Sequence, residues 1–184
     1  MRRRTLLAAS AGAAALAGAA APIPASAAPA RLRAFAVQGS DVTVTLLPGP
    51  AATILLYVAR RFHYEIDTLR PADLTAGSSG TVLEIRPGWY PPGARNGFLP
   101  HQLTVLRDIL AECDGLVRWG GDAAGSPREG RFEIAVRATD DRLSALARRL
   151  DGDAARPSRR VGAETALPFT PARLKRAESL RRRG

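Results

Sequence analysis

Cysteine is almost absent from this chain of 184 residues, which contains Cys113 alone. A single cysteine excludes an internal disulfide. Cys113 lies on the apolar repeat of a predicted helix, so we expect a small buried hydrophobic side chain rather than a nucleophile. Long apolar runs are also missing beyond the N-terminal segment. None reaches the roughly 18 residues of a membrane-spanning helix, so the sequence predicts no membrane span.

Positive charge is abundant but unevenly distributed along the chain. The formal net charge is +10, and residues 151–184 contain nine Lys/Arg against four Asp/Glu. Because three more arginines lie at positions 2–4, the body in between is close to neutral. The basic character therefore belongs to the C-terminal tail, and the sequence predicts no nucleic-acid-binding face on the domain. The tail either binds anionic wall polymers or lipid headgroups, or is a solvated segment that keeps the protein soluble.

Residues 1–27 have the features of an export signal. A positive head containing Arg3 and Arg4 precedes an Ala/Leu-rich run, and small residues at 25–27 suit a cleavage site. The arginine pair favours the twin-arginine route, which tolerates a weakly apolar core. An ordinary secretory signal is the alternative. We therefore expect an exported protein, extracellular, periplasmic or wall-associated, whose mature chain begins near Ala28.

The rest of the chain has the pattern of one domain, 28–150, followed by a basic tail, 151–184, with a short helix that begins at Pro171. Period-two alternation and short apolar runs predict strands within residues 33–47, 81–85, 116–119 and 132–136. Helical apolar stripes predict helices at 51–66, 100–113 and 140–150. Loops are expected at 71–80 and 87–97. This order predicts an α+β fold with helices covering a small antiparallel sheet.

Three local expectations accompany these elements. Arg60 and Arg61 should lie on the polar face of the first helix, opposite its apolar stripe. Trp89 and Tyr90 should pack onto the domain from the second loop. Gly115 suits the position just past the end of the helix at 100–113.

Two segments carry the functional signal: AGSSGTVLEI at residues 76–85, and WGGD at 119–122 followed by PREGRFEI at 127–134. In this order, with a helix between them, they resemble the zinc D-alanyl-D-alanine carboxypeptidase and L-alanyl-D-glutamate peptidase family, which cuts peptidoglycan peptides. The resemblance covers roughly residues 54–136, and the WGGD and FEI pair is its more specific part. It implies the D-alanyl-D-alanine carboxypeptidase (hedgehog-like peptidase) fold.

The family pattern is built around a catalytic zinc ion. It contains S-x-H-x-x-G-x-x-x-D on a loop and strand, and D-x-x-H-F-E on a later strand. Two histidines and one aspartate bind the zinc, which keeps an open position for water. An acid three residues before the last histidine accepts the proton of that water.

Most of these roles fall on residues without the required chemistry. Gly80 matches the motif glycine, but the first histidine falls on Gly77 and the aspartate on Glu84. The second histidine falls on Arg131 and the base on Arg128. Arginine stays protonated and has no lone pair for a metal. One zinc donor remains and the base is lost, so we expect no metal or other cofactor; zinc is expected only if the protein is an active enzyme.

Other polar residues do not complete the donor set. His63 and His101 fall on predicted helices rather than on the family's loop and strand, so a surface or capping role is the simpler interpretation. Glu133 corresponds to the acid of the family's F-E pair and not to its base. Glu129 could turn toward the pocket, but alone it makes no zinc site.

The substitutions also suggest a metal-free arrangement. If Arg131 occupies the space of the zinc ion, its guanidinium can pair with Glu84 and preserve the charge balance. Two independent surface charges are the alternative. Trp119 and Asp122 should then stand near the rim of the same pocket.

Two functions remain open from the sequence. The first is a non-catalytic domain of the peptidase type that binds peptidoglycan stem peptides or a partner, since a fold alone does not confer activity. The second is an active D-alanyl-D-alanine carboxypeptidase or L-alanyl-D-glutamate endopeptidase with a rearranged site. Its candidate residues are Glu84, Asp122, Glu129 and, as a weak nucleophile, Ser79. The missing ligands favour the first. A wall-associated scaffold that acts through the basic tail is a third and broader option.

Overall fold

The computed structural model describes residues 31–155 and 169–182. Within these residues the strands are β1 (Arg33–Ala36), β2 (Thr43–Leu46), β3 (Leu74–Ala76), β4 (Val82–Ile85), β5 (Val117–Trp119) and β6 (Arg131–Ile134). The helices are α1 (Pro50–Glu65), α2 (Pro100–Glu112), α3 (Asp141–Ala155) and α4 (Pro171–Arg181), and a 3-10 turn spans Gly120–Asp122. The predicted export signal, residues 1–27, lies outside the described residues.

Every strand pair in this part of the chain is antiparallel. β1 and β2 form a two-stranded hairpin, and the other four strands form a sheet in the order β3-β4-β6-β5. The β5 strand is therefore an edge of that sheet. The coarse prediction of an α+β domain with antiparallel sheets and packed helices is confirmed.

The four-stranded sheet has one apolar face and one polar face. Leu83 of β4 and Phe132 of β6 are cross-strand partners and are buried in the core, where α1 packs on both strands. Side chains alternate between the faces of a strand, so the next pair, Glu84 and Arg131, lies on the opposite face. The α1 helix also packs against α3. The polar face is therefore the side of the sheet that the core leaves available for a site.

The predictions for α1 and α2 agree closely with the structure, whereas α3 continues to Ala155, beyond its predicted end at residue 150. Both α1 and α2 begin at prolines, which suit a first helical turn because their missing N–H would have no partner there. Gly115 follows α2 with a φ of +74°, a left-handed conformation that favours glycine. Cys113 is buried as predicted, and its burial raises the pKa of its thiol to about 12.

The loop predicted at 71–80 is wrong over Leu74–Ala76, which form β3. This strand is held by pairing with β4 and by the turn between them. The backbone N–H of Gly77 donates to the carbonyl of Val82 at 3.1 Å, and that of Gly80 donates to the carbonyl of Gly77 at 2.8 Å. Three residues are too few to show an alternation, so the pairing defines this strand and the local sequence does not.

Two side-chain expectations are also wrong. Arg61, expected on the polar face of α1, is buried because it pairs with Asp108 of α2 at 3.1 Å. Trp89 is 70% exposed, and the guanidinium of Arg86 lies over its ring, 4.7 Å from the centroid. Tyr90, in contrast, packs against the core as predicted.

The C-terminal helix is docked on the domain, which differs from a solvated tail. The α4 helix packs along α2. Its Arg173 pairs with Asp108 and Glu112 of α2, both at 2.6 Å. Of the helices described, none has the length and apolar character that a membrane crossing requires.

Candidate functional site

Glu84 and Arg131 meet on the polar face of the four-stranded sheet. As direct cross-strand partners in β4 and β6, they project to the same side. The Arg131 guanidinium donates to the Glu84 carboxylate at 2.9 Å and to the Glu133 carboxylate at 3.2 Å. The side chains of Glu84 and Arg131 are 18% and 30% exposed. The predicted carboxylate–guanidinium pair is present, and it is partly buried.

Gly77 and Gly80 belong to the turn that precedes β4. A Cβ added to Gly77 would lie 3.0 Å from the Cβ of Val82, which shares the polar face with Glu84. Gly77 is thus on the same side of the sheet as Glu84 but carries no donor. Gly80 has a φ of +67°, and a Cβ there would lie 2.4 Å from the backbone nitrogen of Leu47. This turn therefore requires glycine at position 80.

Arg128 stands at the position that the resemblance assigns to the base. Its guanidinium lies 3.7 Å from the Glu84 carboxylate. Its backbone N–H donates to the carbonyl of Gly120 at 2.9 Å. A Cβ on Gly120 would lie 2.5 Å from the Arg128 carbonyl oxygen, so the WGGD turn needs glycine to bring the two segments together. As a result, two arginines surround Glu84.

Trp119 and Asp122 both contact Arg107 of α2. The Arg107 guanidinium lies over the Trp119 ring, 4.7 Å from one ring centroid, and it donates to the Asp122 carboxylate at 2.6 Å. The Trp119 side chain is buried beneath this contact. Both residues line a groove of about 880 Å³ that also contains Arg131. Asp122 lines the groove with Arg131 as predicted, but Glu84 does not line it. Trp119 is the cross-strand partner of Phe132, so its ring points to the apolar face of the sheet and not toward the Glu84–Arg131 pair.

We call this surface the basic groove, because arginines dominate its charged lining. On the sheet side its charged residues are Arg118, Asp122, Arg128, Arg131 and Glu133. Partial burial opposes the charge on Arg131, but hydrogen bonds to Glu84 and Glu133 outweigh it and raise the pKa of this guanidinium above its ordinary value. The groove is thus permanently cationic and suits a ligand with carboxylate or other anionic groups.

Glu129 and Ser79, two further candidates, have other partners. Glu129 is buried, and its carboxylate accepts the backbone N–H groups of Asn96 at 2.9 Å and Gly97 at 2.7 Å. It anchors the loop before α2 and does not turn toward the groove. The Ser79 hydroxyl shares a 2.9 Å hydrogen bond with the Thr81 hydroxyl. No acid or histidine is in hydrogen-bond contact with Ser79 in the part of the chain that the structure describes.

The side chains around Glu84 do not fit a zinc ion. Glu84 is the one metal donor among the positions that the resemblance implies, and the adjacent guanidinium groups repel a cation. His63 accepts the backbone N–H of Leu69 at Nδ1, at 3.0 Å, and His101 is exposed on α2. Across residues 31–155 and 169–182, no three His, Cys, Asp or Glu side chains are grouped to hold a metal.

Sequence reasoning misses Arg107 and Arg118 as site residues. Arg107 lies one helical turn from both Leu103 and Leu110, so the helical period locates it beside the buried stripe. Arg118 alternates with the buried Trp119 and its neighbour on β5, which puts it on the polar face. The helix α4 also lines the groove, but its position depends on tertiary contacts that leave no local pattern.

No model of a protein family, no curated protein and no solved structure matches this chain. The resemblance to zinc peptidases stays a prediction. It rests on the order of the two motifs in the sequence.

Proposed function

We propose that this protein is an exported, non-catalytic domain of the zinc peptidoglycan-peptidase type that binds wall peptides through arginine side chains. The observation that carries the proposal is the ion pair between Glu84 and Arg131, 2.9 Å long, at two positions where the resemblance implies zinc ligands. Arg128 replaces the base and lies 3.7 Å from the same carboxylate. Zinc-dependent hydrolysis needs metal donors and a proton acceptor, and arginine provides neither.

A guanidinium in place of a metal ion preserves the charge balance but changes the chemistry. It can hold Glu84 in position and donate hydrogen bonds to an anionic group. It cannot lower the pKa of a bound water molecule, which is the step that zinc contributes in the peptidases. Binding without turnover is the activity that these side chains support.

Peptide carboxylates are the ligand groups that best suit the basic groove. The stem peptides implied by the resemblance end in a free carboxylate, and the planar guanidinium fork recognises carboxylates with two parallel hydrogen bonds. Arg118 and Arg128 provide such forks on exposed side chains.

Calorimetric titration with a stem peptide that ends in D-Ala-D-Ala tests this function. We expect saturable binding and recovery of the intact peptide. The matched control is the same peptide with a C-terminal amide, which should bind about tenfold more weakly if a charge-assisted hydrogen-bond pair is lost. Absence of binding rejects the proposal, and release of D-alanine would instead identify an active carboxypeptidase.

A further inference from the structure

The C-terminal helix α4 is fixed to α2 by ion pairs of unequal burial. Arg173 binds Asp108, which is only 2% exposed, through two contacts of 2.6 Å. Arg176 pairs with Asp114 beyond the end of α2. Ala177, on the same side of α4, is buried. These contacts give α4 a defined position although it follows the domain as a separate segment.

In that position α4 forms one wall of the basic groove. Its residues Ala177, Leu180 and Arg181 line the groove opposite the β5–β6 side of the sheet. The first two provide apolar surface, and Arg181 adds a cation at the open end of the helix. The groove is therefore bounded on one side by the sheet and on the other by α4.

Three arginines of the groove have guanidinium groups that make no hydrogen bond to an acidic side chain among the described residues. Within the part of the chain that the structure describes, Arg118 and Arg181 make no ion pair. Arg128 approaches Glu84 at 3.7 Å without a hydrogen bond. Cations that make no ion pair or only a long one, placed on both walls, favour an extended ligand that carries more than one anionic group.

We propose that α4 is the second wall of the binding groove, and that a peptide with two or more carboxylates binds between Arg118 of β5 and Arg128 of the loop before β6 on one side and Arg181 of the helix on the other. This inference rests on the proposed function and adds to it a residue-level ligand site. It also makes Arg173 a positioning residue, because Arg173 holds α4 in place without lining the groove.

Substitution of Arg181 tests the direct contact. Arg181→Ala should weaken binding of the D-Ala-D-Ala stem peptide about fivefold, as for the loss of an exposed ion pair. Arg182→Ala is the matched control, since Arg182 is the next residue, is exposed and pairs with Glu178 instead. It should bind like the wild type. Equal affinities of the two variants overturn the role of α4 but leave the proposed function intact.

Substitution of Arg173 tests the coupling between helix position and binding. Arg61 still pairs with Asp108 in Arg173→Ala, so we expect a folded domain with faster amide hydrogen exchange in α4 and weaker peptide binding. By linkage, the peptide should slow exchange in α4 of the wild type. Peptide binding that leaves exchange in α4 unchanged contradicts the inference. A wild-type protein that binds no peptide rejects the inference and the proposed function together.

Discussion

Arg131 determines the charge balance of the polar sheet face. It donates hydrogen bonds to both Glu84 and Glu133, so one cation neutralises part of the charge of two carboxylates. Its guanidinium presents several N–H donors in one plane and has no acceptor. A residue of this kind holds acids in place and can bind an anionic ligand, but it cannot accept a proton from water.

Arg131→Ala should destabilise the protein by about 1 kcal/mol, the upper value for an exposed ion pair. The several kcal/mol expected for a buried pair do not apply, because the Arg131 side chain is 30% exposed and Arg128 remains near Glu84. Urea denaturation measures the change in the free energy of unfolding. Arg118→Ala, on the same face without an ion pair, is the control and should change it by less than about 0.5 kcal/mol.

Arg131→His alone should not create a zinc site. The variant has a histidine where the resemblance implies a ligand, but Gly77 still provides no donor. Zinc needs three protein donors in a catalytic site. Elemental analysis after dialysis against zinc and then buffer should find less than one ion per chain. One tightly held zinc per molecule would show that other side chains complete the site.

Among the elements, α1, α2 and α4 meet at a cluster of buried charged side chains. Asp108 of α2 forms ion pairs with Arg61 of α1 and with Arg173 of α4. Arg61 also pairs with Glu65, and this hydrogen bonding raises its pKa despite the opposing effect of burial. The three helices are therefore joined by one carboxylate that water barely reaches.

Asp108→Ala should destabilise the protein by about 3 kcal/mol, because it leaves buried Arg61 without one of its partners. The control is Asp114→Asn just beyond the same helix, where φ is +50° and asparagine, unlike alanine, tolerates the left-handed conformation. Asp114 is 39% exposed and pairs with Arg149 and Arg176, so its loss should change stability by about 1 kcal/mol or less. Denaturant unfolding of both variants compares them. Equal effects would mean that Asp108 is not needed to hold α1, α2 and α4 together.

Elements with a strong local pattern could be predicted from the sequence. The apolar stripes of α1 and α2 located both helices, and the motif order placed Glu84 opposite Arg131. The β3 strand could not be predicted because three residues carry no period. The burial of Arg61 was missed because its partner Asp108 lies 47 positions along the chain. A short stretch of neighbouring residues does not indicate a partner that lies so far along the chain.

In the whole molecule, the basic groove exists only because three separate parts of the chain meet. The sheet and the loop before β6 supply Arg118, Arg128 and Arg131, α2 supplies Arg107, and α4 supplies Arg181. The body of the domain is nearly neutral by sequence, so its cationic surface is a result of folding. This local concentration of charge is what an anionic wall ligand would meet.

The mature chain should begin near Ala28 if residues 1–27 are an export signal. N-terminal sequencing of protein recovered outside the cytoplasm checks this, and a retained Met1 would contradict it. Replacing both Arg3 and Arg4 with lysine should abolish export by the twin-arginine route, which requires the arginine pair. Undiminished export of that variant would favour an ordinary secretory signal.

Metal dependence of peptide binding distinguishes a guanidinium site from a zinc site. Calorimetric titration of the D-Ala-D-Ala stem peptide should be carried out on one preparation with excess chelator and on another with added zinc. Because Arg128 and Arg131 stand where the resemblance implies a base and a ligand, we predict the same affinity in both, with the peptide recovered uncleaved. Binding that appears only with zinc, or cleavage under either condition, would show that the site is still that of a metallopeptidase.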